Sequence, residues 1–246
     1  MYKLLLSLLL ATATLFAGKI NIAVAANVSY AIEELKTEFK KISPQTDVQV
    51  TLGSSGKLVA QIKNGAPYGL LISADMKYPQ ALYDEKIAIT KPIVYAQGEL
   101  AYFSIRKTDF SKGMSLVQNS NITKIAVANP VTAPYGKAAV EAMKNGGVYE
   151  SVKSKFVFAE SVSQTVAYAV TAADLGFIAK SSLYSSNMSQ YKEGINYSVV
   201  DSKLYTPIQQ GIVLLKYAQN NSEYKAFYNF VLSAKAKEIF KKYGYM

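Results

Sequence analysis

The sequence contains no cysteine and no histidine. Without cysteine there can be no disulfide, no thiolate metal site and no lipid anchor attached through a thiol. Without histidine there is no Ser-His triad, no Cys-His pair and no imidazole-ligated metal, which excludes most hydrolytic chemistry. Long apolar runs are also missing. The run Leu4–Leu10 is too short for a membrane span, and no later one is long enough. It follows Met1-Tyr2-Lys3 and leads into small residues ending at Ala17, the pattern of a secretory signal peptide cleaved after Ala13 or Ala17. The mature protein is therefore expected to be soluble and periplasmic. Acidic residues are the minority, 17 against 27 Lys and Arg, for a formal net charge of +10. The lysines are scattered and form no tight cluster alternating with aromatics, so nucleic acid is not an expected partner. A general attraction for anions, or for an anionic membrane surface, is the milder consequence. Beyond residue 17 the chain is long enough for one large domain or for two lobes with a core each.

What the chain does have is concentrated between Gly53 and Asp75. The strand-like run Val48 to Leu52 gives way to Gly53-Ser54-Ser55-Gly56, and Leu58, Val59 and Ile62 then share one helical face. That helix should stop at Asn64-Gly65, with Pro67 beyond it. The buried strand Leu70 to Ile72 should follow, leading into a second helix start at Ser73-Ala74-Asp75. A strand-to-helix turn exposes unpaired backbone N–H groups at the positive end of the helix dipole, so a hydroxyl-lined turn is suited to hold an anion. The plainer alternative is a flexible Gly-Ser turn with an N-cap. A P-loop fits worse, because Leu58 follows Gly56-Lys57 where Ser or Thr is required and Thr51 occupies the first glycine position.

Similar turns recur along the chain. Lys19 to Ala25 reads as a strand, and Asn27 is placed to cap a helix carrying Ala31, Ile32, Leu35, Phe39 and Ile42. Strand-helix alternation implies a mostly parallel sheet flanked by helices, with Asn27, Ser55 and Ser73 gathered at the carboxyl ends of its strands. After Ile93 to Ala96 and Gln97-Gly98-Glu99, the strand Leu100 to Ile105 marks a crossing into a second lobe. A loop from Lys107 to Asn121 precedes the strand Lys124 to Ala128. Then come Ala133-Pro134-Tyr135-Gly136 with a helix from Lys137 to Met143, a strand from Phe156 to Phe158, and a capping box Ser161-Val162-Ser163-Gln164 opening a helix through Val170. Asp174 to Ala179 reads as a buried strand, and Lys180 to Ser198 as a helix and loops. The chain should return near Tyr205-Thr206-Pro207 to the strand Gly211 to Leu215, and helical spacing runs from Glu223 to Tyr243. The division is thus residues 18–97 with 206–246 for one lobe and 98–205 for the other, after a signal peptide over 1–17.

These residues carry a resemblance that covers nearly all the mature chain. Gln61-Ile62 with Gly65-Ala66-Pro67 leading to Ile72-Ser73-Ala74-Asp75, and the ending Lys225-Ala226-Phe227-Tyr228 with Glu238-Ile239-Phe240-Lys241-Lys242-Tyr243-Gly244, resemble the molybdate-binding periplasmic proteins of ABC importers. The resemblance implies an α/β fold of the two-lobed, type II periplasmic binding class. It also implies a molybdate or tungstate ion held between closing lobes, no cofactor beyond that ligand, and delivery by a monomer to a membrane permease. In that family the anion is held by a Ser after the first strand, a Ser in the second turn, two backbone N–H groups of the second lobe and a Tyr hydroxyl. These positions fall here on Asn27, Ser55 with Ser54 beside it, Tyr135, Val162 and Ala179. Asn27 and Ala179 depart from the pattern: an amide replaces a hydroxyl, and a donor is lost. Lys180 is expected to be a solvated lysine turned away from the side Ala179 faces. Asp75 is read as a helix cap, since a carboxylate would repel a dianion, and the Tyr135 ring as a lid or packing group.

Such a pocket needs no catalysis. Molybdate and tungstate carry no proton at neutral pH, so donors alone suit them, whereas a buried acceptor favours a protonated ion such as hydrogen phosphate. Sulfate has the same charge and shape and must be excluded by cavity size. The alternatives are a carrier for another oxyanion, tungstate or sulfate, and a serine enzyme using Ser54 and Lys57 in the pattern Ser-x-x-Lys, whose companion motifs are absent.

Overall fold

The computed structural model describes residues 18–246, so the expected signal peptide over 1–17 lies outside the described residues. β1 (Gly18–Ala25) pairs in parallel with β2 (Thr46–Gly53) and β3 (Leu70–Ile72). Its alternation sends Ile20, Ile22 and Val24 to one core and Ala23 to another, so the strand is buried on both faces. A 3₁₀ segment, Ala26–Tyr30, separates it from α1 (Ile32–Ile42). Ile32, Leu35 and Phe39 of α1 are buried, with Phe39 edge-on to Phe227 at 4.9 Å between ring centroids. Ile42, expected on that face, is 68% exposed at the helix end. α2 (Ser55–Lys63) ends at Asn64, after which Gly65 takes φ +84°, a conformation that favours glycine.

α3 (Lys77–Asp84) follows β3 and begins later than Ser73-Ala74-Asp75 suggested. β4 (Ile93–Gly98) and β10 (Ile208–Leu214) complete a first sheet of order β2-β1-β3-β10-β4. β10 runs antiparallel to both of its neighbours. The second sheet has the order β7-β6-β8-β5-β9. It is built from β5 (Leu100–Phe103), β6 (Ile125–Ala128), β7 (Phe156–Ala159), β8 (Leu175–Ala179) and β9 (Tyr197–Val199), with β5 antiparallel to β8 and β9. Both sheets are therefore mixed, with four of five strands in each pointing one way as expected: only the strands adjoining the two crossings, β5 and β10, run against the rest. α4 (Pro134–Asn145), the short α5 (Tyr149–Val152) and α6 (Val162–Thr171) belong to the second sheet's connections, and α7 (Ser222–Val231) and α8 (Ala234–Lys242) close the chain.

Three readings of local structure change. The stretch read as a loop before β6 contains a 3₁₀ segment, Phe110–Gln118, kinked at Gly113, and it buries Phe110, Met114, Leu116 and Val117. The Ser- and Tyr-rich stretch after β8 forms short 3₁₀ turns and then the edge strand β9. The final helical span is broken, because the Ser233 hydroxyl accepts from the Ala236 N–H and starts α8 anew. No helix among the described residues is long and apolar enough to cross a membrane.

Candidate functional site

The turns that follow β1, β2, β3, β6 and β7 meet at one small cavity. It is lined by Ala25, Ala26 and Asn27 after β1, by Gly53, Ser54 and Ser55 at the start of α2, and by Ala74 after β3. The second sheet contributes Ala133, Pro134 and Tyr135 at the start of α4 and Val162 at the start of α6. Among the described residues, no charged side chain lines it. The room is small, close to that of a single water molecule. Three α-helices thus present their amino ends to an uncharged space, where orphan N–H groups and helix dipoles favour negative charge.

Ser55 Oγ accepts the Ala74 N–H at 3.0 Å, which leaves its own hydrogen free to donate. Ser54 is the N-cap residue of α2, yet its hydroxyl caps nothing: Ser54 Oγ is buried without any partner. Pro134 occupies the first position of α4 and has no N–H, so the first N–H that the helix offers is that of Tyr135. Val162 is the first residue of α6. Its turn is fixed by Ser161, whose Oγ accepts from Gln164 N at 3.3 Å, while Gln164 Oε1 returns to accept from Glu160 N at 2.7 Å.

The rim is drawn together from both sheets. Gly56 N donates to the Thr132 carbonyl at 2.9 Å, Tyr78 Oη to that of Val131 at 3.1 Å, and Ser163 Oγ to that of Ala26 at 2.7 Å. Lys57 Nζ pairs with Glu160 Oε1 at 2.9 Å, joining α2 to the turn before α6. Ser54 Oγ has no hydrogen-bond partner, so the Ser-Lys contact that a Ser-x-x-Lys enzyme needs is not formed.

Asn27, Ser54, Ser55, Tyr135 and Val162 are thus brought together, and Ala179 is not. Ala179 is buried at the end of β8, outside the cavity lining, and its carbonyl accepts from Ser182 Oγ at 2.6 Å. Asn27 sits inside the 3₁₀ segment instead of capping α1, because the helix begins only at Ile32. Nor is its amide nitrogen free. Asn27 Nδ2 donates to Gln210 Oε1 at 2.8 Å and to Tyr245 Oη at 2.9 Å, and Oδ1 is left buried and unpartnered. Ser73 lies behind the site, its hydroxyl donating to Asp75 Oδ1 at 3.2 Å. Asp75 is not the N-cap of α3, a place taken by Met76, but its carboxyl accepts from Tyr78 N in the first turn at 3.2 Å, and burial raises it above the ordinary value. Lys180 is no ligand, but it is not simply solvated either: its Nζ lies 2.6 Å from Glu99 Oε2.

Sequence reasoning missed the layer behind Asn27. Gln210 is fully buried, Tyr95 Oη donates to Gln210 Oε1 at 2.7 Å, and Gln210 Nε2 donates to Tyr135 Oη at 3.2 Å. Burial pushes the Tyr95 and Tyr135 phenols well above their ordinary value, so both remain neutral. The one available signal was a glutamine pair, Gln209-Gln210, inside an apolar strand; Tyr245, near the end of the chain, carries none. The Tyr135 ring is a packing group, as its residue type suggested. A Cβ placed on Gly98 would collide with its hydroxyl.

Comparison with known proteins adds a third line. Residues 20–246 match the family described as bacterial extracellular solute-binding protein. The molybdate-binding protein ModA of Rhodobacter capsulatus is 36% identical over 94% of this chain and 89% of its own length. ModA of Azotobacter vinelandii is 32% identical over 93% of this chain and 90% of its own. The solved periplasmic molybdate-binding protein of Azotobacter vinelandii superimposes with a TM-score of 0.83 at 29% identity, covering 92% of this chain and 98% of that one.

Proposed function

This chain belongs to the bacterial extracellular solute-binding protein family, and on that premise we propose that it captures molybdate in the cavity between its two sheets for an ABC importer. The observation that carries the proposal is the meeting of Ser54, Ser55, Tyr135 and Val162 with Asn27 in a space without charged side chains. A tetrahedral dianion takes hydrogen bonds at each of its oxygens. Two hydroxyls and two helix-end N–H groups supply them from both sheets, so the ion itself joins the halves. Exclusion of water as the halves close strengthens these charge-assisted bonds.

The lobes are residues 18–97 with 206–246 and residues 98–205, hinged where the chain crosses near Gly98 and near Thr206. Tungstate, of the same charge and shape, is the expected second ligand, and sulfate is to be rejected by size. No cofactor and no catalytic step enter this reading. The protein works as a periplasmic monomer, released by cleavage of the leader and handing its ion to a membrane permease, with no part for nucleic acid. Calorimetric titration with molybdate, tungstate, sulfate and phosphate in parallel tests the reading. Tight binding of the first two is expected, and preference for sulfate or phosphate would overturn it.

A further inference from the structure

Behind the cavity the Asn27 and Gln210 amides form a buried pair, exposed by 1% and 0%. Both hydrogens of Asn27 Nδ2 are engaged, by Gln210 Oε1 and Tyr245 Oη, so the one side-chain polar atom that this cavity-lining residue leaves without a partner is an acceptor, Oδ1. An acceptor opposes a proton-free dianion and suits an oxyanion that carries a hydrogen. Asn27 cannot correct this alone. Turning its amide over would set Oδ1 against Gln210 Oε1, acceptor against acceptor at the present 2.8 Å.

Turning both amides resolves the conflict without moving a heavy atom. Gln210 Nε2 then donates to Asn27 Oδ1 and to Tyr95 Oη, whose hydrogen passes to the Ser73 carbonyl 3.3 Å away. Tyr135 Oη donates to Gln210 Oε1 across the same 3.2 Å. Tyr245 Oη gives up the bond it donates to the Asn27 carbonyl at 2.8 Å and donates to Asn27 Oδ1 instead, while Ser181 Oγ, at 3.0 Å, continues to donate to that carbonyl. Asn27 Nδ2 now takes the unpartnered position, with its hydrogens free for an ion in the cavity that Asn27 lines.

Resting on the oxyanion reading above, we propose that Gln210 is a specificity-determining positioning residue that turns over together with Asn27. One arrangement offers Asn27 Oδ1 to the hydroxyl of a singly protonated oxyanion such as hydrogen phosphate. The other offers Asn27 Nδ2 to a proton-free dianion such as molybdate. Because Gln210 also bonds Tyr135, the choice made at the first sheet is transmitted to the amino end of α4 in the second.

The test compares Gln210→Met in two backgrounds, the wild-type chain and Asn27→Ser, where a hydroxyl can donate or accept without help. In the wild-type background the substitution should lower the ratio of molybdate to phosphate affinity by about tenfold. In the Asn27→Ser background it should leave the ratio within about twofold. An equal effect in both, or none in either, overturns the proposal, since loss of packing alone would not depend on residue 27. Should Gln210→Met not fold, the unmodified protein still decides. Nuclear Overhauser contacts of the Gln210 side-chain amide should move from the Tyr135 ring to the Tyr95 ring when molybdate is added. Molybdate that binds while those contacts stay on Tyr135 refutes the turning-over alone, whereas molybdate that does not bind refutes it together with the function it rests on.

Discussion

Ser54 and Ser55 are adjacent and chemically identical, yet their surroundings assign them different consequences. Ser55 Oγ holds the Ala74 N–H, so Ser55→Ala leaves a buried donor unsatisfied and also removes a hydrogen bond to the anion. It should weaken molybdate binding by about 1.5–3 kcal/mol, the range for hydrogen bonds to charged groups, and lower the melting temperature as well. Ser54 Oγ has no partner, so the folded protein bears the cost of burying a hydroxyl without return. Ser54→Ala should therefore keep or raise the melting temperature while reducing affinity by the same order. Calorimetry and thermal melts on the two variants check the contrast, and loss of stability in both would place Ser54 in the scaffold. The position of Ser55 was legible in the sequence, because a hydroxyl directly after a glycine turn and before an apolar helical face has few places to go. The engagement of Asn27 was not. It depends on Gln210 and Tyr245, more than 180 residues away in sequence, and no local spacing reports a contact of that range.

At the level of elements, strand-helix alternation was readable because each buried strand carries an unbroken apolar run, as Leu70–Ile72 and Leu175–Ala179 do. What escaped was β9, whose half-buried residues lack a clear alternation, and the break at Ser233, where a cap overrides a helical period that continues on both sides. Glycines at close approaches were equally hard to read. Gly56 resembles any turn glycine, but a Cβ there would lie 2.9 Å from the Thr132 backbone Cα, against the N–H···O bond that joins α2 to the turn before α4. Gly56→Ala should leave each lobe folded and hold them apart. The expected result is a melting temperature within a few degrees of wild type, affinity reduced at least tenfold, and a larger radius of gyration by X-ray scattering with molybdate present. A second joint, between the residues leading into β6 and β8, should respond to pH. Asp174 Oδ2 accepts from Thr123 N at 2.9 Å, Thr123 Oγ1 at 2.9 Å and Lys124 N at 3.1 Å. Burial alone would raise its carboxyl, and these bonds, with Arg106 nearby, outweigh it and lower it. A lowered folded-state value stabilises the protein above the unfolded value, near pH 3.9, and that stability is lost as pH falls through the folded value. Asp174→Asn should therefore melt below wild type at neutral pH, and the gap should close as the pH is taken from about 5 towards 2.

For the whole molecule the question is how a chain of net charge +10 binds an anion where no charged group stands. The two effects act at different distances. Scattered lysines raise the local concentration of any anion over a Debye length of about 8–10 Å at ordinary salt, a contribution to encounter that added salt screens. Once the rim contacts of Gly56, Tyr78 and Ser163 have formed, the ion meets only neutral donors screened from solvent. The exposed Lys57–Glu160 pair between α2 and the turn before α6 adds at most about 1 kcal/mol to closure. Raising the salt from 20 to 500 mM sodium chloride, chosen to span that screening range, should therefore slow association several-fold and leave dissociation nearly unchanged, as stopped-flow tyrosine fluorescence can follow. The same division fixes the response to pH. Among the described residues, the one titratable side chain lining the cavity is Tyr135, and burial pushes its phenol well above the ordinary value, so none of these groups gains or loses a proton near neutrality. Molybdate affinity should stay level from about pH 6 to 9, where an ordinary histidine would titrate near 6.5. A dissociation constant that rises steeply across that range would mean that an ionising side chain reaches the ion, and that capture relies on a charge rather than on the amino ends of α2, α4 and α6.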